Sequence, residues 1–201
     1  MLLFNLINNP ILFIGFIIGI LSGITFHEAA HAWVAMKLGD PTAKLKGRVT
    51  LNPLAHLDLT GTIMLFFVGF GWGKPVPVNE QNFKSRYDEL KVALAGAASN
   101  FLLAIIVSLI IRFIPMSENI VMILIVVIEI NITLMVFNLL PIPPLDGSSI
   151  LKAILPTHAY QTLRQMTPYL FIAFLIFIYT TPYLSNLISG LTNFLLKILI
   201  G

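Results

Sequence analysis

Cysteine is absent from the 201 residues, and charged residues are scarce, at 10% of the chain. The lack of cysteine excludes disulfide bridges and thiolate metal sites, so any bound metal must be held by nitrogen and oxygen atoms. Apolar side chains are abundant instead, at 57% of the residues, and the mean hydropathy is +0.91. A soluble domain of this length would need far more polar surface, so the composition predicts an integral membrane protein.

Basic residues are few, and their placement is more informative than the net charge of +3. They fall mainly between residues 37 and 91 and again at 152 and 164, in the stretches between apolar runs. No aromatic residues are interleaved with them, so we expect no nucleic-acid partner. The positive-inside rule predicts that these stretches are loops on the cytoplasmic side of a membrane.

Five apolar segments divide the chain, at residues 11–38, 57–70, 92–114, 120–140 and 169 to the C-terminus. A helix needs about 20 residues to cross a bilayer, so the first, third and fourth segments can span. The second is too short and is expected to be re-entrant. The last is too long for one crossing, and Pro182 is expected to break it. Its second half is amphipathic and could lie in the interface or return across the membrane.

Two short pieces that flank the second apolar segment have the pattern of extended chain. Residues 44–51 place apolar side chains on one side, with the two-residue period of a strand. Residues 74–79 have proline at alternate positions, so only Val76 and Val78 can pair through their N–H groups, as on an edge strand. The sequence therefore predicts a mainly α, polytopic membrane helix bundle with a small re-entrant loop and β element, in a single domain over residues 1–201.

Two histidines and a glutamate interrupt the first apolar segment, in the order His27-Glu28-Ala-Ala-His31. Positions four apart share one face of a helix, so both histidines can donate a ring nitrogen to one Zn²⁺. Glu28 lies about 100° further round the helix, where it can reach a metal-bound water without being a ligand. Ionisable groups inside a membrane are costly, so this cluster predicts the core of a zinc hydrolase.

A catalytic zinc site needs a third protein ligand, and the candidates are Asp146, His56, Asp58, Glu129 and His158. Asp146 precedes a glycine in a pair typical of a turn, and His56 and Asp58 lie in a turn-rich loop typical of solvated or capping side chains. His158 lies in a polar loop with no predicted role. Glu129 is about 180° around its helix from Asn138, so we expect these two side chains to face different sites. Taken alone, the spacing does not choose among the candidates.

Three motifs follow one another between residues 27 and 147: His27-Glu28-Ala-Ala-His31, Gly96-Ala-Ala-Ser-Asn100 and Asn138-Leu-Leu-Pro-Ile-Pro-Pro-Leu-Asp146-Gly147. Together they resemble the motifs of the site-2 protease family of intramembrane zinc metalloproteases. The segment Gly71-Trp-Gly-Lys-Pro-Val-Pro-Val-Asn79 is similar to the small bacterial branch of that family, which lacks PDZ-like and CBS-like domains.

The resemblance implies a role for each motif. Asp146 would be the third zinc ligand and Glu28 the catalytic acid and base, while Asn138 would help to hold the substrate backbone. The loop before the third segment would present its edge strand, with the two valines, to an unwound substrate. Asn100 would form a hydrogen bond near the site and is grouped with the substrate-binding residues, although polar packing between helices explains it equally well.

A re-entrant second segment makes the topology consistent with this site, because His31 and Asp146 then lie near the same, cytoplasmic end of the bundle. The predicted function is zinc-dependent hydrolysis of peptide bonds in or near the transmembrane segments of membrane protein substrates, within the lipid bilayer. The alternative is a non-enzymatic zinc-binding membrane protein, such as a metal transporter or an inactive protease homologue. The polar groups converge at one depth, which favours the protease. The oligomeric state is left open.

Overall fold

The computed structural model describes residues 8–85 and 87–201. These residues form α-helices joined by short loops, with two 3₁₀ turns at Pro53–Ala55 and Glu80–Asn82. In chain order the helices are α1 (Pro10–Lys37), α2 (Thr42–Leu45), α3 (Leu59–Val68), α4 (Asp88–Phe113), α5 (Glu118–Asn138), α6 (Ser148–Ile154), α7 (Thr157–Gln165), α8 (Thr167–Thr180) and α9 (Pro182–Ile200).

Helices α1, α4 and α5 pack against one another and form the centre of the bundle. α1 approaches α5 through a stripe of three glycines, Gly15, Gly19 and Gly23. A Cβ atom at any of these positions would lie between 2.5 and 2.9 Å from an α5 side chain, which is closer than real Cβ atoms approach. Small residues of this kind allow membrane helices to pack tightly. The stripe therefore brings the middle of α1 directly against α5.

Four helices in the described part of the chain, α1, α4, α5 and α9, are long and apolar enough to cross a membrane. The protein is therefore a mainly α, polytopic membrane protein, as predicted. α9 begins at Pro182, where the break was expected, and runs alongside α5. Thr192 of α9 lies 3.5 Å from Thr133 of α5, measured between the hydroxyl oxygens. α7 and α8 are bent against each other by 65°.

The second apolar segment enters and leaves the bundle at the same point. α3 has 10 residues, so at ~1.5 Å per residue it is about 15 Å long, half of what a crossing needs. Asp58 caps its first turn, and Gly69 ends it in the left-handed conformation, with φ +80°. The chain then folds back until Gly73 bridges to Leu57. This segment is re-entrant, as the sequence predicts.

The predicted strands on either side of α3 do not form. The Leu57–Gly73 bridge is the single β pairing in the described residues. The prediction of an extended stretch over residues 44–51 is wrong, because α2 includes residues 44 and 45 and a turn follows it. In that turn Gly47 has φ +66° and the N–H of Arg48 donates a 2.9 Å hydrogen bond to the carbonyl oxygen of Ala43. Residues 74–79 are non-helical, as predicted. The N–H of Lys74 donates to the carbonyl oxygen of His56, and side chains hold the rest of the segment.

The re-entrant segment can be tested by labelling single cysteines in this cysteine-free chain. We expect Lys44→Cys, Lys84→Cys and His158→Cys to react with a membrane-impermeant maleimide from one side, and Ser117→Cys to react from the other. The reason is that α3 is too short to carry the chain across the bilayer. Labelling of positions 44 and 84 from opposite sides would contradict this topology.

Candidate metal centre

Three side chains from distant parts of the sequence meet at one point. His27 Nε2 lies 2.9 Å from His31 Nε2 and 2.9 Å from Asp146 Oδ2, and His31 Nε2 lies 3.1 Å from the same oxygen. Both histidines project from one face of α1. Within the described residues these three form the single cluster of at least three potential metal ligands.

A second hydrogen bond orients each histidine ring. His31 Nδ1 lies 2.7 Å from the carbonyl oxygen of Val92, and His27 Nδ1 lies 3.2 Å from Oδ1 of Asn100. Both partners are acceptors, so each Nδ1 carries the ring proton and each Nε2 presents a lone pair to the shared point. Metal-binding histidines are oriented in this way, so the rings are prepared for an ion.

The third helix of the core, α4, supplies both of these acceptors because it lies against the rings. A Cβ atom at Gly96 would be 2.5 Å from Cε1 of His31 and 2.6 Å from Cε1 of His27, so only glycine permits this approach. Asn100, one turn further on, is fully buried. Its Oδ1 faces His27, a contact that would orient this ring toward a metal, and its place among the substrate-binding residues stays a prediction.

The turn after α5 returns Asp146 to α1. The N–H of Gly147 donates a 2.7 Å hydrogen bond to the carbonyl oxygen of Asn138, the last residue of α5. A side chain at Gly147 would collide with the carbonyl oxygens of Leu139 and Leu140, so the tight turn requires glycine here. The turn thereby places Oδ2 of Asp146 beside the Nε2 atoms of both histidines.

Zinc fits this donor set. Zinc lies about 2.0–2.2 Å from histidine nitrogen and carboxylate oxygen, so the ligand atoms of a tetrahedral site are about 3.3–3.5 Å apart. The observed separations of 2.9 to 3.1 Å need to open by only a few tenths of an ångström. Two imidazoles and one carboxylate are also a known set for catalytic zinc, which keeps one position free of protein ligands.

Glu28 lies beside this cluster and is anchored through one oxygen. Its Oε2 accepts a 2.9 Å hydrogen bond from the N–H of Val76, and the Arg48 guanidinium lies 4.0 Å from the same oxygen. No hydrogen bond to Oε1 is found among the described residues. Glu28 also lines the cavity that His27 and Asp146 line. One carboxylate oxygen is therefore fixed while the other is available.

Arg48 and His56 hold the start of the 74–79 segment, a role that the sequence analysis missed. Arg48 is buried and donates hydrogen bonds from Nη1 to the carbonyl oxygen of Pro75 (3.0 Å) and from Nη2 to that of Lys74 (2.5 Å). His56 donates from Nε2 to the carbonyl oxygen of Thr50, so its Nδ1 faces Arg48 as an acceptor at 3.4 Å. His56 is fully buried rather than solvated, and it is not among the three grouped potential metal ligands.

Asp40 holds the other end of the same segment. Its fully buried carboxylate accepts hydrogen bonds from the N–H of Asn79 (2.7 Å) and from Nδ2 of Asn82 (2.8 Å). Burial disfavours its ionisation, but these bonds and those from Thr42 outweigh the cost, so the pKa of Asp40 lies below its ordinary value. The 74–79 segment is thus fixed at both ends beside Glu28.

A cavity of about 930 Å³ extends from His27 and Asp146 into the bundle, between α1, α3, α5, α8 and α9. Asn138 and Glu129 both line it. The expectation that these two face different sites was therefore wrong, because one cavity reaches both residues. Asn138 donates from Nδ2 to the carbonyl oxygen of Leu134, and no partner for its Oδ1 is found in the described chain.

Comparison of the sequence with known proteins identifies metalloproteases. A model of peptidase family M50 matches residues 15–117 and 113–181. The chain is 38% identical over 187 residues to YwhC of Bacillus subtilis, provisionally named a zinc metalloprotease, with 88% of this chain and 85% of that protein covered. It is 31% identical over 193 residues to Rip2 of Mycobacterium tuberculosis, which carries the same provisional name, covering 91% and 73%.

A more distant similarity extends to the archaea. The chain is 26% identical over 151 residues to the zinc metalloprotease MJ0392 of Methanocaldococcus jannaschii, covering 75% of this chain and 37% of that protein. No solved structure matches the chain.

The metal site predicts about one zinc ion per chain in the purified protein, because three ligands converge at one point. We expect His27→Ala, His31→Ala and Asp146→Ala each to reduce bound zinc to background in elemental analysis. His158→Ala removes an exposed histidine of α7 and should leave the zinc content unchanged. Full zinc retention in Asp146→Ala would contradict the assignment of the third ligand.

Asp40 predicts a pH-dependent contribution to stability. Asp40→Asn should lower the melting temperature at neutral pH, because an amide cannot accept all the hydrogen bonds that the carboxylate accepts. The folded pKa lies below the ordinary value of 3.8, so this contribution is present above that value and is lost as the pH falls through the folded pKa. The melting-temperature difference between variant and wild type should shrink below about pH 4. A difference that stays constant down to pH 3 would contradict the role of the ionised carboxylate.

Proposed function

The chain belongs to peptidase family M50, and from this membership and the metal centre we propose that it is an intramembrane zinc metalloprotease of the site-2 type. It cleaves peptide bonds in or near the transmembrane segments of other membrane proteins. The observation that carries the proposal is the convergence of His27, His31 and Asp146 beside Glu28, on the wall of a cavity inside an apolar helix bundle. The active site lies toward the cytoplasmic side of the bacterial plasma membrane, in keeping with the basic residues of the neighbouring loops.

The residues around the cluster perform the proton transfers of hydrolysis. Bound zinc would supply a Lewis acid that polarises the scissile carbonyl and acidifies a water molecule. Glu28 accepts the proton of that water at Oε1 and delivers it to the leaving amide nitrogen. The N–H of Val76 holds Oε2, so the carboxylate keeps one orientation through both transfers.

The 74–79 segment supports the binding of an unwound substrate. A helical substrate hides its carbonyl groups in its own hydrogen bonds, so it must open locally before attack. The N–H of Val76 already donates to Glu28, whereas no acceptor for the N–H of Val78 is found in the described chain. Substrate pairing therefore uses Val78 and the backbone carbonyl of Val76, as in strand addition. Asn138 adds a side-chain acceptor on the opposite wall.

A metal transporter is supported less well by the same geometry. A transporter needs ligands along a path through the membrane, whereas the described residues hold a single cluster of potential ligands. Glu28 is also anchored by the backbone next to that cluster, which suits a proton acceptor better than a ligand.

The proposed role of Glu28 predicts a separation of binding from catalysis. Glu28→Gln keeps the shape of the side chain but cannot accept the proton of water, so we expect zinc content to be retained and cleavage of a transmembrane substrate to fall by about 10²-fold or more. Cleavage is measured in liposomes at equal zinc occupancy. Glu118→Gln, which changes an exposed acid at the start of α5, is the matched control and should cleave as wild type does. Equal rates for Glu28→Gln and wild type would exclude Glu28 as the proton acceptor.

A further inference from the structure

Glu129 is an acidic residue in the middle of a membrane-spanning helix, and the mechanism above does not use it. It forms no ion pair with any described residue. A carboxylate inside a membrane is costly without a partner, and such residues are conspicuous candidates for function. Glu129 lines the same cavity as Glu28 and the metal ligands, so its position connects it to the proposed reaction.

Several polar side chains line this cavity on the side of α9, although most of its wall is apolar. The polar side chains of α9 line it, namely Ser185, Ser189, Thr192 and Asn193. Thr133, one turn after Glu129 on α5, lines it too and lies 3.5 Å from Thr192 between the hydroxyl oxygens. The residues of α9 that pack against the core, Leu195 and Leu199 among them, lie next to this polar face, whereas the opposite face, with Leu187 and Phe194, is exposed. α9 thus directs its polar face toward Glu129 and away from lipid.

The dimensions of the cavity suit a short piece of peptide. A volume of about 930 Å³ is within the range of pockets that enclose a ligand of several residues and is far too small for a complete transmembrane helix. Glu129 lies nine residues before Asn138, which is about 13 Å along the helix axis. This distance equals about four residues of extended chain, at ~3.3 Å each, or about nine residues of helix.

We propose that Glu129 is a specificity-determining residue, which accepts a hydrogen bond from a donor side chain in the transmembrane segment of the substrate. This inference rests on the proposed function and names the substrate class. The substrate segment has an amide or basic side chain four to nine residues from the cleaved bond, in the part of the segment that extends from the metal centre toward Glu129. An unpaired carboxylate needs a donor, and a basic side chain satisfies both its hydrogen bonding and its charge. The hydroxyl groups of Thr133 and Thr192, which line the same cavity, can donate or accept further hydrogen bonds to the donor side chain of the substrate.

The test uses full-length, zinc-loaded protein in liposomes and a set of transmembrane peptides. The parent peptide has leucine at all ten positions beside the cleavage site. Each variant peptide has a single Asn or Lys at one of those positions. Binding is measured first in a Glu28→Gln background, so that it does not depend on cleavage. We expect the peptides with a donor at the matching depth to bind about tenfold more tightly than the parent, as for a hydrogen bond to a charged group.

Two variants of Glu129 and one control decide the outcome. Glu129→Leu should abolish the preference for both donors while leaving binding of the parent peptide unchanged. Glu129→Gln, which keeps the shape of the side chain, should retain part of the preference for Asn and lose that for Lys. Glu118→Gln should behave as the unmodified protein. The same ranking should then appear in kcat/KM when Glu28 is present.

Several results would overturn the inference. If Glu129→Leu still binds the peptides with a donor at one depth more tightly than the parent peptide, recognition by Glu129 is excluded. Equal weakening of every peptide, including the parent, would assign Glu129 to the general shape or hydration of the cavity. If Glu129→Leu removes the preference for a donor in binding, but the wild-type protein cleaves no peptide, the inference stands and the proposed protease function fails. Failure of the inference and failure of the proposed function therefore give different results.

Discussion

The close approach of α1 to α4 and α5 is the constraint on which the metal centre depends. The glycine stripe of α1 removes the side chains that would separate it from α5, and Gly96 removes the one that would separate α4 from the two histidine rings. Inside a bilayer no water can satisfy a polar group that the protein leaves unpaired, so each imidazole needs its second nitrogen bound by protein. Asn100 and the backbone of α4 can provide these bonds only at this short distance. Helix packing therefore determines the direction of both Nε2 lone pairs.

Glu28 shows a related balance between fixing a carboxylate and keeping it reactive. A bidentate pair with Arg48 would occupy both carboxylate oxygens. The guanidinium instead donates to the carbonyl oxygens of Lys74 and Pro75 and stays 4.0 Å from Glu28, so it contributes charge without a direct hydrogen bond. The same arginine thereby positions the backbone that supplies the N–H of Val76. One buried side chain places the peptide-binding segment and the carboxylate relative to each other.

Local patterns in the sequence predicted those features that depend on helix period and length. Hydropathy predicts the spanning helices α1, α4 and α5, the short length of α3 predicts its re-entrant course, and the spacing of His27 and His31 predicts their shared face. The place of Asp146 beside them followed from resemblance, because its 115-residue separation from His31 contains no local signal. Arg48 and His56 were missed for the same reason. Their partners are backbone carbonyl groups, which every residue has, so the sequence contains no pattern that marks them. The strand pattern of residues 44–51 was misleading because the helical turn α2 and the left-handed Gly47 after it bend the chain where alternation predicts an extended course.

The amphipathic pattern of α9 shows why the interior of a membrane enzyme is hard to infer from periodicity. A polar stripe opposite an apolar one is typical of a helix that lies at the membrane surface with one face in water. The same pattern arises when the polar face borders an internal cavity, as Ser189 and Asn193 do here. The two cases differ in what the polar face meets, and Glu129 is the residue that distinguishes them, since its unpaired carboxylate requires water or a hydrogen-bond donor inside the bundle. Hydrolysis needs both water and an unwound peptide at the metal centre, and a cavity that reaches from Asp146 to Glu129, with polar side chains at both places, provides the space that lipid cannot.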